Sequence, residues 1–448
     1  MTITAAATRA QWQTRGGFIL SILGAAIGLG NIWRFSFVVG ENGGGAFLVV
    51  YLAMVLCVGL PLLLAELAVG RSVGREAASA FVALGRNRAW RQSGMLGVAV
   101  SFIVLTYYAV IAGWAVKYFV AFGLGDAPRQ GGAAEYFRAF TATSVGPVFW
   151  QALVMVATAV IVLGGVERGI ERASKYLMPA LGILIVVLAA HSLMLPHAGR
   201  GLAFLFAPDW SVLAQPNVYL AALGQTFFSL GLAMGVLVTY GSYIPQHYSL
   251  PQAAVVVVVG DTLFAVLAAA IIFPAVFSFG MDPAQGPGLA FVTLPEIFAQ
   301  MTGGRATGVA FFALLVVAAV TSSVAMLEIP VAYVMERWGL VRSRATLVVA
   351  AAAFILGVPS ALGFGVWAGL RIAGRPILDS VDFLASNILL PLSGLAVALF
   401  VGWHWREAHA VAAVGLRRHR LARLWRISVR YLAPAMIVII VLRSLAVI

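Results

Sequence analysis

The chain has 448 residues, 62% hydrophobic and only 10% charged. So little charge cannot cover the surface of a soluble protein of this length, which excludes the soluble classes and favours a membrane protein. The net charge of +13 invites a nucleic-acid reading, but the basic residues sit in short loops between apolar runs, and a single cysteine (Cys57) excludes an intramolecular disulfide.

The first 15 residues are polar and lack the charged-then-apolar layout of a cleaved signal, so the first apolar segment is expected to be retained. Eleven apolar segments are predicted, over residues 16–41, 44–70, 94–123, 146–165, 172–195, 217–245, 252–280, 306–335, 345–363, 380–404 and 428–447. A span needs about 20 apolar residues to cross roughly 30 Å of hydrocarbon. The linkers are turn-forming, as in Gly125-Asp126-Ala127-Pro128 and Met281-Asp282-Pro283, and none is long enough for a separate soluble domain. Residues 1–448 therefore read as one membrane domain.

Segment one carries Gly24-Ala25-Ala26-Ile27-Gly28-Leu29-Gly30-Asn31, and segment six carries Phe228-Ser229-Leu230-Gly231-Leu232-Ala233-Met234-Gly235. Clustered glycines weaken a helix, although small residues also let helices pack closely in membranes. The relation between the two stretches favours the first explanation. They lie five segments apart, as inverted repeats over about 16–195 and 217–404 would place them, with 428–447 as an additional helix. Unwound backbone in a membrane is tolerated only around a cavity. There it offers carbonyls to a cation and half-helix N-termini to a carboxylate. A transporter site is the expectation.

Charge within a span is costly and by default functional. Glu66 in segment two is read as a brace for the unwound first segment, whereas for Glu328 in segment eight a structural hydrogen bond and a proton site are both open. Orientation follows from the basic residues. With the N-terminus in the cytoplasm, the inner segments hold nineteen, namely Arg9, Arg15, Arg71, Arg75, Arg86, Arg88, Arg91, Arg168, Arg172, Lys175, Arg337, Arg342, Arg344, Arg406, Arg417, Arg418, Arg420, Arg423 and Arg426. The outer loops hold six, namely Arg129, Arg138, Arg200, Arg305, Arg371 and Arg375. With eleven spans the C-terminus falls outside.

Gly28-Leu29-Gly30-Asn31-Ile32-Trp33-Arg34-Phe35 and the following Glu41-Asn42-Gly43-Gly44-Gly45-Ala46-Phe47 resemble the first-helix signature of the neurotransmitter:sodium symporter family. Pro61 to Arg71, Tyr107-Tyr108 with Trp114, Gly224 to Phe228, and Thr321-Ser322-Ser323 extend the resemblance over residues 9 to about 382. It implies an all-α polytopic membrane protein of the leucine-transporter fold, with eleven transmembrane helices, an inverted 5+5 repeat and discontinuous helices 1 and 6. A twelfth helix present in many members is missing here. The implied activity is sodium-coupled symport of neutral L-amino acids by alternating access in a bacterial inner membrane. The implied partners are the amino acid, two sodium ions and the lipid bilayer, with no nucleic acid.

By the same resemblance, sodium site one would use the Ala26 carbonyl, Asn31, Ser229 and Asp261, completed by the substrate carboxylate. Site two would use carbonyls of Gly24, Ile27 and Ala318 with the hydroxyls of Thr321 and Ser322. Hard cations take such oxygen ligands, although for Thr321 and Ser322 alone local bonding to backbone is the competing reading. Relatives that carry amines place an aspartate at position 28, so Gly28 implies a substrate with its own carboxylate. Tyr108 would meet that carboxylate and Phe228 would act as a lid. Ala26, Gly28, Gly30, Val104, Ser229, Gly231, Met234, Ser322 and Met326 complete the implied pocket, which favours large apolar or aromatic side chains because Gly231 leaves space and Met234 adapts. Arg34 and Asp382 match an outer gate. Arg9 and Glu336 match an inner one supported by Trp12, Ser242 and Tyr243, with Glu336 replacing a more usual aspartate.

The helix-seven hydroxyl used by chloride-dependent relatives is Ala265 here, so chloride-independence is implied. Gly169 and Pro179 match a family pattern in segment five, and the expectation is that its cytoplasmic end unwinds to release the inner sodium while Glu167, Arg168, Glu171 and Arg172 keep it wet. The competing functions are a membrane amino-acid receptor that does not transport, and a symporter of another carboxylate-bearing solute. An enzyme has no support: His191, His197, His247, His404, His409 and His419 form no metal-ligand spacing, and no nucleophile motif appears.

Overall fold

The computed structural model describes residues 10–283 and 286–444. Nine described helices are long and apolar enough to cross a membrane: Gly45–Val73, Arg88–Leu124, Gly146–Leu163, Val166–Leu193, Leu250–Ser278, Gly304–Trp338, Arg342–Leu362, Ile377–His404 and His419–Arg443. Arg15–Ala26 and Gly30–Glu41 make a tenth as a pair bent by 54°. The remaining predicted segment, the sixth (217–245), is divided into Pro216–Ser229 and Val236–Gly241, each too short to span alone. Both expected breaks are therefore present, five segments apart. The described strands are Arg371–Ile372 and Arg375–Pro376, a two-residue hairpin in the loop before segment ten.

The lipid-facing surface is legible in side-chain spacing. Along segment four Phe149, Leu153, Val156 and Val160 are all exposed, and along segment five Ile183, Val186 and Val187 are. Stripes of that size would be untenable in water. The opposite faces pack inward, and the most extensive helix contact joins Arg91–Leu124 to Gly304–Trp338. These two continuous helices frame the half-helices of segments one and six.

Segment five starts at Val166, a few residues before the expected start, and is wound with π-type bonds over Val166–Glu171 before the regular helix Arg172–Leu193 that contains Pro179. Gly169 serves close packing here: a Cβ on it would lie 2.0 Å from the Ile161 carbonyl oxygen of segment four.

Candidate functional site

Arg15–Ala26 ends because Ile27 turns to extended backbone (φ −74°, ψ 104°), and the chain resumes as helix from Gly30. In segment six, Gly231 (φ 61°), Ala233 (φ 63°) and Gly235 (φ 72°) all take left-handed backbone between the two half-helices. Glycine adopts it freely, whereas for alanine it costs about 1–2 kcal/mol. Ala233 is held there from both sides: its N–H donates to Glu66 Oε1 at 2.7 Å and its carbonyl accepts from Ser393 Oγ at 2.6 Å. Glu66 thus braces the broken sixth segment, not the first as expected. Strain kept in place by surrounding bonds is a mark of functional backbone.

Between the breaks lies a cavity of about 30 Å³ lined by Ala25, Ala26, Gly28, Gly30, Val104, Tyr108, Phe228, Gly231, Met234, Val236, Ser322 and Met326. Ten of the eleven expected substrate residues line it. Ser229 is instead turned to Asn31 and Asp261, while Ala25 and Val236 were not anticipated. No ionisable acid or base other than the Tyr108 phenol faces this space. Its size suits a water or two, and Phe228 closes it: a Cβ on Gly30 would lie 2.6 Å from the Phe228 ring. Gly28 is equally confined, since a Cβ there would meet Ser322 Oγ at 2.5 Å and the Tyr108 hydroxyl at 2.8 Å. Tyr108 also accepts the Leu29 N–H at 3.0 Å, which fixes its phenol against the break.

Beside the cavity, Asn31, Ser229 and Asp261 form a closed and fully buried ring. Asn31 Nδ2 donates to Asp261 Oδ1 at 2.6 Å and to Ser229 Oγ at 2.9 Å, and Ser229 Oγ donates to Asp261 Oδ2 at 2.7 Å. The Asn31 amide oxygen accepts from the Gly28 N–H at 3.0 Å. Three helices thus bring one carboxylate, one amide and one hydroxyl to a point, the oxygen chemistry a hard cation requires. Across segment one, Ser322 Oγ lies 3.3 Å from the Gly24 and Ile27 carbonyl oxygens and 3.4 Å from that of Ala25. Thr321 Oγ1 donates to the Ala318 carbonyl at 3.0 Å. This second group contains no charged side chain.

The expected outer pair is not joined by any described ion pair. Arg34 lies over the Phe228 ring, 4.6 Å from its centroid, while Asp382 accepts from Tyr107 at 2.7 Å and Ser386 at 2.9 Å. Each member is thus tied to its own neighbours. On the opposite side Arg9 lies outside the described residues. Glu336 accepts the Glu76 N–H at 3.1 Å and stands 4.0 Å from Arg75 Nε. Burial pushes the neighbouring Glu76 carboxyl up from its ordinary value, against the N–H donors of Ala78 and Ser79. Trp12 is buried against Tyr240 and Tyr243, donating from its indole to the Tyr240 carbonyl at 3.1 Å and from its backbone to that of Tyr243 at 3.0 Å. Ser242 is buried beside them and donates to the Thr239 carbonyl.

Two residues on this side exceed what was read from the chain. Glu328, whose role was open, is fully buried and takes a two-pronged ion pair from Arg342, at 2.7 and 2.9 Å, together with the Tyr243 hydroxyl at 2.8 Å. Arg342 opens the segment after the one that carries Glu328, and an intramembrane carboxylate followed by a span-opening arginine was the available signal. Glu171, expected to hold the end of segment five in water, is instead buried. It accepts the backbone N–H groups of Gln13 at 2.9 Å and Thr14 at 3.2 Å, the Thr14 hydroxyl at 2.8 Å and Lys175 at 2.8 Å.

The sequence matches the sodium:neurotransmitter symporter family over residues 9–126 and 138–448. An uncharacterized sodium-dependent transporter of Bacillus subtilis is 35% identical over 98% of both chains. One of Methanocaldococcus jannaschii is 34% identical over 88% of this chain and 82% of its own. The crystal structure of MhsT in complex with L-phenylalanine superposes with a TM-score of 0.92 at 48% identity, covering 97% of this chain and 100% of that one. The family match spans the broken helices and both groups of oxygen donors described above. The chain is therefore a multi-pass, sodium-dependent membrane transporter, not an enzyme, and belongs to the sodium:neurotransmitter symporter family.

Proposed function

We propose that the protein imports neutral L-amino acids with large apolar or aromatic side chains, coupled to sodium moving inward across a bacterial inner membrane. The observation that carries this reading is the cavity between the helix breaks, which touches Tyr108 and backbone at one end and offers only apolar or hydroxyl groups elsewhere. A substrate carboxylate is then met by the Tyr108 phenol and by ion and backbone dipoles, while a charged side chain would find no partner. The solved relative with bound L-phenylalanine supports the class. Because the cavity is small, binding must displace Phe228 from Gly30 and repack Met234 and Met326. A thermal-shift screen of purified protein against the twenty amino acids should show stabilisation by large apolar ones in sodium and none in its absence. Competition by lysine or glutamate equal to that of leucine or tryptophan would refute the pocket assignment. Uptake into proteoliposomes separates this reading from a receptor.

In this reading one sodium sits among the Ala26 carbonyl, Asn31, Ser229 and Asp261, with the Asn31 amide turned to offer its oxygen. A second sits among the Gly24, Ile27 and Ala318 carbonyls and the Thr321 and Ser322 hydroxyls. Asp261 supplies a fixed negative charge within the first group, and the nearby Ala265 has no hydroxyl for an anion. Uptake in gluconate buffer should therefore equal uptake in chloride, and a several-fold loss on removing chloride would overturn this assignment.

Release of the second ion is assigned to segment five. Pro179 has no N–H to pair with the Lys175 carbonyl, and that weakness lies one turn from the Glu171 bonds to the N-terminal residues Gln13 and Thr14. Pro179→Ala should leave equilibrium substrate binding nearly unchanged but slow turnover several-fold. Hydrogen exchange over 167–178 should rise on withdrawing sodium in the parent and less in the variant. Normal turnover with unaltered exchange would reduce Pro179 to a static kink.

A further inference from the structure

A charged cleft lies away from the transport pathway, on the arginine-rich face. It encloses about 570 Å³ between the start of segment seven, the end of segment two and the loop joining segments ten and eleven. Arg71, Arg417 and Arg418 line it, with His247 and Tyr248 opposite and Leu421 at its rim. No described ion pair satisfies any of the three arginines. Arg71 is tied only to neutral carbonyls, donating to Tyr248 at 2.7 Å and Ala413 at 2.6 Å, so its charge stays available to the cleft. The helix His419–Ile427 begins at the same place with no side chain capping its first N–H groups, which adds the positive end of its dipole.

That helix also locates the cleft relative to the bilayer. Leu421, Leu424 and Ile427 are exposed along one face, while Ala422 and Trp425 pack inward and Arg420 and Arg423 remain exposed. This stretch is the first part of the span His419–Arg443, so its exposed leucines and arginines share the depth at which that span enters the headgroup layer. One turn further on, the exposed rings of Trp403 and Tyr431 meet at 5.6 Å, the aromatic pairing expected at headgroup level. Unpaired arginines, an uncapped helix start and adjoining exposed leucines are thus brought together at one depth.

We propose that this cleft holds the phosphate headgroup of an anionic phospholipid, whose acyl chains lie along Leu421, Leu424 and Ile427. Arg417 and Arg418 supply mobile charge, and Arg71 supplies charge fixed in place by its backbone bonds.

The test uses the full chain, purified in neutral detergent and titrated with phosphatidylglycerol, phosphatidylcholine or inorganic phosphate, read by thermal shift and by lipid retained in native mass spectra. Phosphatidylglycerol should stabilise the protein and be retained at one copy or a few, and phosphatidylcholine should do neither. An arginine near the membrane surface strengthens binding of an anionic lipid roughly fivefold, so the double variant Arg417→Gln/Arg418→Gln should bind phosphatidylglycerol about 25-fold more weakly. Its melting temperature in phosphatidylcholine should match the parent's, since neither side chain makes a described bond within the protein. Arg86→Gln/Arg88→Gln removes the same charge elsewhere on this face and should keep the full response. Equal stabilisation by both lipids, an undiminished response in the first double variant or an equal loss in the second would overturn the proposal. A matching shift with inorganic phosphate alone would assign the cleft to a free anion and overturn the lipid.

Discussion

Asp261→Ala should lower the affinity for sodium by at least about a hundredfold and lower substrate affinity with it. The proposed first ion site has Asp261 as its one charged protein ligand, joined to Asn31 at 2.6 Å and Ser229 at 2.7 Å. Removing the carboxylate deletes that charge, and two opposite unit charges about 4 Å apart at an effective dielectric of about 20 attract by about 4 kcal/mol. With tenfold per roughly 1.4 kcal/mol, a hundredfold is the lower end of the effect. Linkage makes the coupling reciprocal: if the substrate carboxylate completes the same site, sodium and substrate must lose mutual enhancement by one factor. The measurement is binding of labelled substrate across a sodium titration, with monodispersity and helical content checked on the same preparation. Asp261→Asn keeps the shape and removes the charge, so it should fall between the parent and the alanine variant. Equal enhancement of substrate affinity by sodium in the parent and in Asp261→Ala would end the shared-site reading.

What the chain disclosed in advance was what local chemistry can write. Apolar segment length placed ten of the spans, although three begin six to nine residues before the expected start, the last at His419 against 428, and glycine clustering marked the two breaks, because weak helical backbone is a property of the residues themselves. The cavity lining was legible through the resemblance, and the cavity gathers ten of the eleven residues named for it. Partnerships made across distant segments were not legible. Nothing near Glu66 announces that its partner is the Ala233 amide, which lies 167 residues away. Glu171 follows Glu167 and Arg168 in a run that reads as a solvated end, and only the fold brings the N–H groups of Gln13 and Thr14 onto it. The gate pair shows the reverse case. Arg34 and Asp382 were singled out together as an expected gate, yet the described contacts are Phe228 for the arginine and Tyr107 and Ser386 for the aspartate.

Arg342→Gln should destabilise the protein by about 3–5 kcal/mol, the cost of leaving one member of a buried ion pair unpaired. Glu328 is fully buried, and without the guanidinium it would keep only the Tyr243 hydroxyl at 2.8 Å. The effect should not stay local. Tyr243 is also where the N-terminal segment is pinned, through the Trp12 N–H to its carbonyl at 3.0 Å and the Trp12 ring at 5.9 Å. Arg342 further donates to the Val162 carbonyl at 3.2 Å, so the same side chain ties segment nine to segment four. Loosening Tyr243 should therefore release Trp12, and amide hydrogen exchange over residues 10–18 should accelerate at least about tenfold, matching about 1.4 kcal/mol of lost local stability. Adding Glu328→Gln to Arg342→Gln removes the stranded charge and should recover most of the melting temperature, because a neutral amide costs far less to bury. It should recover the exchange rates only in part, since the two-pronged bond is not rebuilt. If Arg342→Gln lowers the melting temperature while exchange over residues 10–18 stays at the parent rate, the buried pair stabilises the bundle without holding the N-terminal segment. The closure on this side would then rest on Glu171 and its bonds to Gln13 and Thr14.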